Sequence, residues 1–315
     1  MILIHDLVEI VEVGPRDGLQ NEFKKISVEG KIQLVDRLSK CGFDRIEVGS
    51  FVSSKWVPQM ADSDLVFKGL ARNNSISYSA LTPNLMGLEK AISCGVNEVA
   101  IFASASESFS KANINCSIKE SIERIVPLIK LAKEHSLPVR GYVSCVTDCP
   151  FEGLMQPKSV QTVASTLVDL GCYEVSLGET LGGASPQQVE MLLENILKYI
   201  PAQKLAGHFH DTKEMALENI RVALDYGLRT FDSSVGGLGG CPYAPGASGN
   251  VATEAVVKLL KKLSVLHDLK SGLSKLQLIN QLQNKYNEIH INNSIRTNNN
   301  HNNHHNNNYN NNHNN

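Results

Sequence analysis

Short β-branched runs alternate with helical segments eight times along this chain, and no other feature limits its fold so sharply. The runs predict strands at Leu7–Val13, Arg45–Val48, Ile76–Leu81, Glu98–Phe102, Val139–Val143, Tyr173–Leu177, Leu205–His210 and Arg229–Ser233. Helices follow at about Val28–Lys40, Asp64–Arg72, Leu85–Ser93, Ile118–His135, Pro157–Leu170, Pro186–Tyr199, Glu214–Tyr226 and Asn250–Leu263. Ser27 is the expected N-cap of the first. Eight strand-helix units over roughly 250 residues fit a closed (β/α)8 TIM barrel. An open doubly wound sheet is the alternative, but it rarely needs eight such regular units. Helical sequence continues through Ser264–Ile289 and predicts extra C-terminal helices that cap the barrel or extend a lid.

From Asn292 the chain is almost entirely asparagine and histidine. Such a tract buries too little apolar surface to offset its ordering entropy and predicts disorder. One catalytic domain over residues 1–290 and a disordered tail over 291–315 are therefore expected. The net charge of −2, without a basic block, speaks against nucleic acid or an anionic membrane surface as a partner. The seven cysteines are odd in number and scattered, which suits reduced thiols inside a cell. No apolar run approaches a membrane span. The opening Met-Ile-Leu-Ile-His-Asp lacks the character of an organelle presequence, so the sequence by itself predicts a cytoplasmic protein.

In a barrel of this kind chemistry sits where strands end. The first strand runs into Gly14-Pro15-Arg16-Asp17-Gly18-Leu19-Gln20, the second holds Glu47, and the sixth runs into Gly178-Glu179-Thr180. The seventh ends in His208-Phe209-His210-Asp211. A spacing of two on a strand puts His208 and His210 on one face. Strands seven, eight and one are neighbours in a closed barrel, so Asp17 and Asn250 are expected to converge on the two imidazoles. Two nitrogens, a carboxylate oxygen and an amide oxygen describe a site for Mg²⁺ or Mn²⁺. An arginine at the barrel mouth beside such a ligand is placed to bind an anionic oxygen. A structural ion pair is the plainer reading of Arg16, and Glu47 and Glu179 carry the same ambiguity.

After the eighth strand comes Gly237–Asn250, with five glycines, two prolines and Cys241. Ordering so glycine-rich a loop costs entropy and returns little burial. It reads as a lid bearing a thiol, with a long surface connection as the alternative.

The segments Val13–Glu22, Ser50–Met60, Arg140–Cys145, Gly171–Gly178 and Asp232–Val235, together with this loop, resemble the 3-hydroxy-3-methylglutaryl-CoA lyase family in register from about Val8 to Leu263. The resemblance implies metal-dependent retro-Claisen cleavage of (S)-3-hydroxy-3-methylglutaryl-CoA into acetoacetate and acetyl-CoA, as in ketone-body formation and leucine degradation. It implies that Asp17, His208, His210 and Asn250 hold the cation, with His208 also counted as catalytic. It implies that Arg16 stabilises enolate charge, that Glu47 lies near the substrate hydroxyl, and that Cys241 takes part in proton transfer. Gln20 and Glu179 join Arg16 and Glu47 as expected substrate-binding residues. A homodimer follows from the same resemblance, and a mitochondrial matrix location is known among family members. Glu179 departs from the family's usual aspartate and moves a carboxylate by about 1.5 Å, one bond length. Lys213-Glu214 replaces a small or aromatic pair. The competing readings are a barrel enzyme that condenses an acyl-CoA with a keto acid, and a catalytically impaired CoA- or metal-binding homologue.

Overall fold

The computed structural model describes residues 7–22, 24–240, 249–263 and 266–267. Eight parallel strands form its centre: β1 (Leu7–Glu12), β2 (Arg45–Ser50), β3 (Ser77–Leu81), β4 (Glu98–Ser104), β5 (Val139–Ser144), β6 (Glu174–Glu179), β7 (Leu205–Phe209) and β8 (Thr230–Ser233). Each pairs with the next, and β8 returns to β1 in the register Glu9↔Thr230 through Glu12↔Ser233. That last pairing closes the sheet into a (β/α)8 barrel and excludes the open alternative.

The helices are α1 (Val28–Leu38), α2 (Ser63–Gly69), α3 (Leu85–Ser93), α4 (Glu107–Ile114), α5 (Ile118–Glu134), α6 (Pro157–Leu170), α7 (Pro186–Ile196), α8 (Ala216–Asp225) and α9 (Thr253–Lys262). Ser27 caps α1 by accepting from the Gly30 amide, as expected. The eight-residue α4, capped by Ser106, is too short and too weakly periodic to stand out in the sequence. Two helices begin later than the sequence suggests. Glu214 takes a left-handed φ of 59°, and the Asp211 carboxylate then accepts from the Ala216 amide to start α8. Asn250 and Ala252 bridge to His210 and Ser234, which keeps this stretch extended until Thr253. Leu266–His267 forms a short strand beside β1 where helix is expected. The remaining expected C-terminal helices, the boundary near residue 290 and the tail lie outside the described residues.

The main apolar core lies between strands and helices, and the barrel interior combines charged side chains with a small apolar cluster of Leu81, Ala100, Phe102 and Tyr142. Strand side chains alternate between these environments. On β5, Val139 and Val143 pack in the apolar core, while Arg140 and Tyr142 meet the charged groups of other strands. Arg45 on β2 bonds Glu9 and Glu174, and Glu174 also accepts from Arg140 at 2.7 Å. Burying charge is costly unless every member is paired. This column of ion pairs meets that condition and supports the strand ends above it.

Candidate metal centre and active site

Residues Gly14–Gly18 leave β1 as one turn of π-helix in which the amides of Arg16, Asp17 and Gly18 all donate to the Val13 carbonyl. Buried Glu12 fixes this turn. Its Oε1 accepts from the amides of Gly14 and Val235, and its Oε2 from the Thr253 hydroxyl. A Cβ on Gly14 would fall 2.6 Å from Glu12 Oε1, so this position requires glycine. The loops after β1 and β8 are thus clamped to one carboxyl.

The turn presents Asp17 to the two histidines of β7. One carboxylate oxygen of Asp17 and one ring nitrogen each of His208 and His210 lie within 4.8 Å of one another. Asn250 joins them by donating Nδ2 to Asp17 Oδ2 at 2.7 Å and to the Leu238 carbonyl at 3.2 Å. Its amide hydrogens are thereby engaged, which leaves the carbonyl oxygen as the side chain's remaining polar atom. Gln20 donates to Asp17 Oδ1 at 3.1 Å, which places it beside the centre as a partner of Asp17.

The ring contacts decide whether these donors suit a metal. His210 Nδ1 lies 3.0 Å from the Thr180 carbonyl, and His208 Nδ1 lies 3.1 Å from Asp232 Oδ2. Both partners accept hydrogen bonds, so each Nδ1 carries a hydrogen, and each ring in its neutral form turns a lone pair out through Nε2. Burial lowers the His208 pKa, but Asp232 and Asp17 outweigh it and raise it above the usual imidazole value, so a cation binding there displaces a proton held more tightly than on His210. The two Nε2 atoms face each other at 3.4 Å, and His208 Nε2 lies 3.9 Å from Asp17 Oδ2. Converging lone pairs beside a carboxylate call for a cation between them, and nitrogen with oxygen donors fits a divalent ion. Burial raises the Asp17 carboxyl, but Arg16 and the histidines outweigh it and hold its pKa at about 2. Burial and the neighbouring His208 lower His210 to about 4, so near neutral pH its ring stays uncharged.

Arg16 is 5 % exposed and bonds Glu47 through Nε and Asp17 through Nη1, the latter at 2.5 Å. It therefore links Glu47 to the cation site. Glu47 Oε2 also accepts from the Tyr142 hydroxyl at 2.6 Å, and Arg140 donates to that hydroxyl at 2.9 Å. Glu179 stands apart. On β6, Ser176 bonds into the barrel, and Glu179 falls on the opposite parity. Its Oε1 accepts from Thr147 and from the Gly183 amide, and Arg16 is not among its partners. Lys213 and Glu214 are exposed, and Lys213 lies against Gly183. Cys241 lies outside the described residues. The chain on either side of it is tied to the same barrel mouth: Asn21 donates to the Gly240 carbonyl at 2.6 Å, and the Asp211 amide to the Gly249 carbonyl at 3.0 Å.

Sequence reasoning assigned no role to Arg140, Tyr142, Ser176 or Asp232, which surround the centre from below. A signal was present. Strands covered on both faces should read as nearly continuous apolar runs. Polar residues at every second position of β5 and β8 mark an interior built for charge.

A family model described as HMGL-like matches residues 7–282. The chain is 56% identical over 258 residues, 82% of it and 86% of the relative, to the 3-hydroxy-3-isohexenylglutaryl-CoA/hydroxy-methylglutaryl-CoA lyase of Pseudomonas aeruginosa. It is 50% identical to the human cytoplasmic 3-hydroxy-3-methylglutaryl-CoA lyase, covering 82% of this chain and 70% of that one. Among solved structures, an HMG-CoA lyase from Acinetobacter baumannii in complex with coenzyme A and 3-methylmalate superposes with a TM-score of 0.84 at 36% identity, covering 90% of this chain and 92% of that one.

Proposed function

The chain belongs to the HMGL-like family, and from that premise we propose that it cleaves 3-hydroxy-3-methylglutaryl-CoA to acetoacetate and acetyl-CoA with the help of Mg²⁺ or Mn²⁺. The observation that carries this reading is the convergence of the two Nε2 atoms and the Asp17 carboxylate beside a buried arginine. Asp17, His208, His210 and Asn250 would hold the ion. A divalent cation makes a coordinated hydroxyl more acidic and orients a chelating substrate.

The reaction breaks one carbon–carbon bond. The tertiary hydroxyl gives up its proton, its oxygen becomes the ketone of acetoacetate, and the bond's electron pair passes to the thioester fragment as an enolate. That enolate then takes a proton on carbon to become acetyl-CoA. Glu47, joined to the centre through Arg16, is assigned to removing the hydroxyl proton. Arg16 is held on two sides by Glu47 and Asp17, and its remaining N–H groups stabilise the enolate oxygen. Cys241 is assigned to delivering the carbon-bound proton. Gln20 acts through Asp17 in this arrangement, and the contacts of Glu179 support a role in shaping the turn that follows β6.

Among the described residues no helix is long and apolar enough to cross a membrane, and relatives are named as cytoplasmic or mitochondrial forms. A cytoplasmic homodimer is the form we propose, and sedimentation of the purified chain tests the oligomeric part. The test of function is incubation with 3-hydroxy-3-methylglutaryl-CoA and Mg²⁺. Stoichiometric acetoacetate and acetyl-CoA are expected. Absence of both products, or condensation of an acyl-CoA with a keto acid in their place, contradicts the proposal.

A further inference from the structure

We infer that Asp232 is a positioning residue for the cation centre, fixing the ring of His208 so that Nε2 and its lone pair face the ion. Asp232 sits on β8, 1 % exposed, one strand across from β7. Its Oδ2 lies 3.1 Å from His208 Nδ1 and accepts from the Ser176 hydroxyl at 2.7 Å. Its Oδ1 lies 2.8 Å from Nη2 of buried Arg140, which Glu174 holds in turn. Three neighbours from β5, β6 and β7 therefore fix this carboxylate, and only one of them is a ligand candidate.

The consequence for His208 is geometric. An imidazole turned half a revolution about its Cβ–Cγ bond exchanges Nδ1 with Cδ2 and Nε2 with Cε1. Such a turn would present carbon to the centre. A carboxylate at Nδ1 disfavours it and keeps the hydrogen on Nδ1. His210 is held differently, by the neutral Thr180 carbonyl. The two rings thus differ as donors: the carboxylate partner makes His208 the more electron-rich ligand, and outer partners of this kind typically change metal affinity by about 10- to 100-fold.

This inference rests on the cation site proposed above. Its test uses full-length protein labelled with ¹⁵N-histidine, with the His208 signals assigned by their loss in His208→Asn, and Mn²⁺ as the binding probe. In the metal-free wild type, Nδ1 of His208 is expected to carry a hydrogen at pH 8. Asp232→Asn is expected to lose that hydrogen in part or whole and to weaken Mn²⁺ binding about 10- to 100-fold. Ser176→Ala, which leaves the His208 contact in place, should keep the Nδ1 hydrogen and bind Mn²⁺ within a few-fold of wild type. A wild-type His208 with bare Nδ1 overturns the inference even if Asp232→Asn fails to fold. Equal Mn²⁺ affinity in wild type and a folded Asp232→Asn also overturns it. Failure of the wild type to bind Mn²⁺ at all instead removes the cation site itself.

Discussion

Arg16 shows at the scale of one residue how position separates catalysis from binding. It bonds the carboxylates of Glu47 and Asp17, but it is not itself a candidate ligand. Replacing it with glutamine should leave Mn²⁺ affinity within a few-fold of wild type while turnover falls by about 100-fold or more, the scale on which lost transition-state stabilisation is felt. Steady-state kinetics beside a Mn²⁺ titration check this, and a change in KM alone would make Arg16 a binding residue. Cys241→Ala should fold, bind Mn²⁺ and lose most turnover, whereas Cys41→Ala, altering a buried core position, should keep near-normal kinetics once folded. Retention of half the wild-type rate by Cys241→Ala would move proton delivery to another group. The residue types at the strand ends made Asp17, His208, His210 and Asn250 legible in sequence. Arg140 and Asp232 were hidden because their importance lies in which neighbours they meet across three strands, and only the closed register supplies those neighbours.

Elements were legible wherever local physics decides them. The α1 and α6 boundaries follow from a Ser N-cap and from Pro157 at a first turn with Gly171 beyond the last. They were obscured where distant contacts override the local pattern, as at Glu214 and at the extended Asn250–Ala252 stretch. The turn after β6 offers a test at this scale. Gly182 has φ of +66°, and a Cβ there would stand 2.3 Å from Thr212 Oγ1. The same turn supplies the Thr180 carbonyl that holds His210. Gly153 has a similar φ of +72° but open space around it. Gly153→Ala should cost only the left-handed backbone penalty, about 1–2 kcal/mol. Gly182→Ala should cost more and also weaken Mn²⁺ binding. Chemical denaturation and a Mn²⁺ titration of the two variants compare them, and equal losses would mean the Thr212 contact yields without cost.

For the whole molecule, buried carboxyls set how stability varies with pH. Burial pushes Glu12 up to about 8 and both Glu98 and Glu179 up to about 7. Each binds its proton more tightly folded than unfolded, so its stabilising effect is complete below the unfolded value of 4.5 and is lost as pH rises through 7 and 8. Asp17, Glu174 and Asp232 are buried too, but adjacent cations hold them low, and their contribution is lost as acid protonates them. Metal-free protein should therefore melt at a higher temperature near pH 6 than near pH 8.5. Glu12→Gln imitates the protonated carboxyl toward Gly14, Val235 and Thr253, so it should flatten that decline. A Tm that rises from pH 6 to 8.5 would contradict this balance. The central claim is that one cation, held by Asp17, His208, His210 and Asn250, is required for cleavage. It is tested most directly by titrating Mn²⁺ into metal-stripped protein while acetoacetate formation from 3-hydroxy-3-methylglutaryl-CoA is followed. The account predicts no turnover in excess EDTA, activity that saturates at one Mn²⁺ per chain, and loss of that response in His208→Ala. Undiminished acetoacetate formation in EDTA, or an unchanged response in His208→Ala, would contradict it.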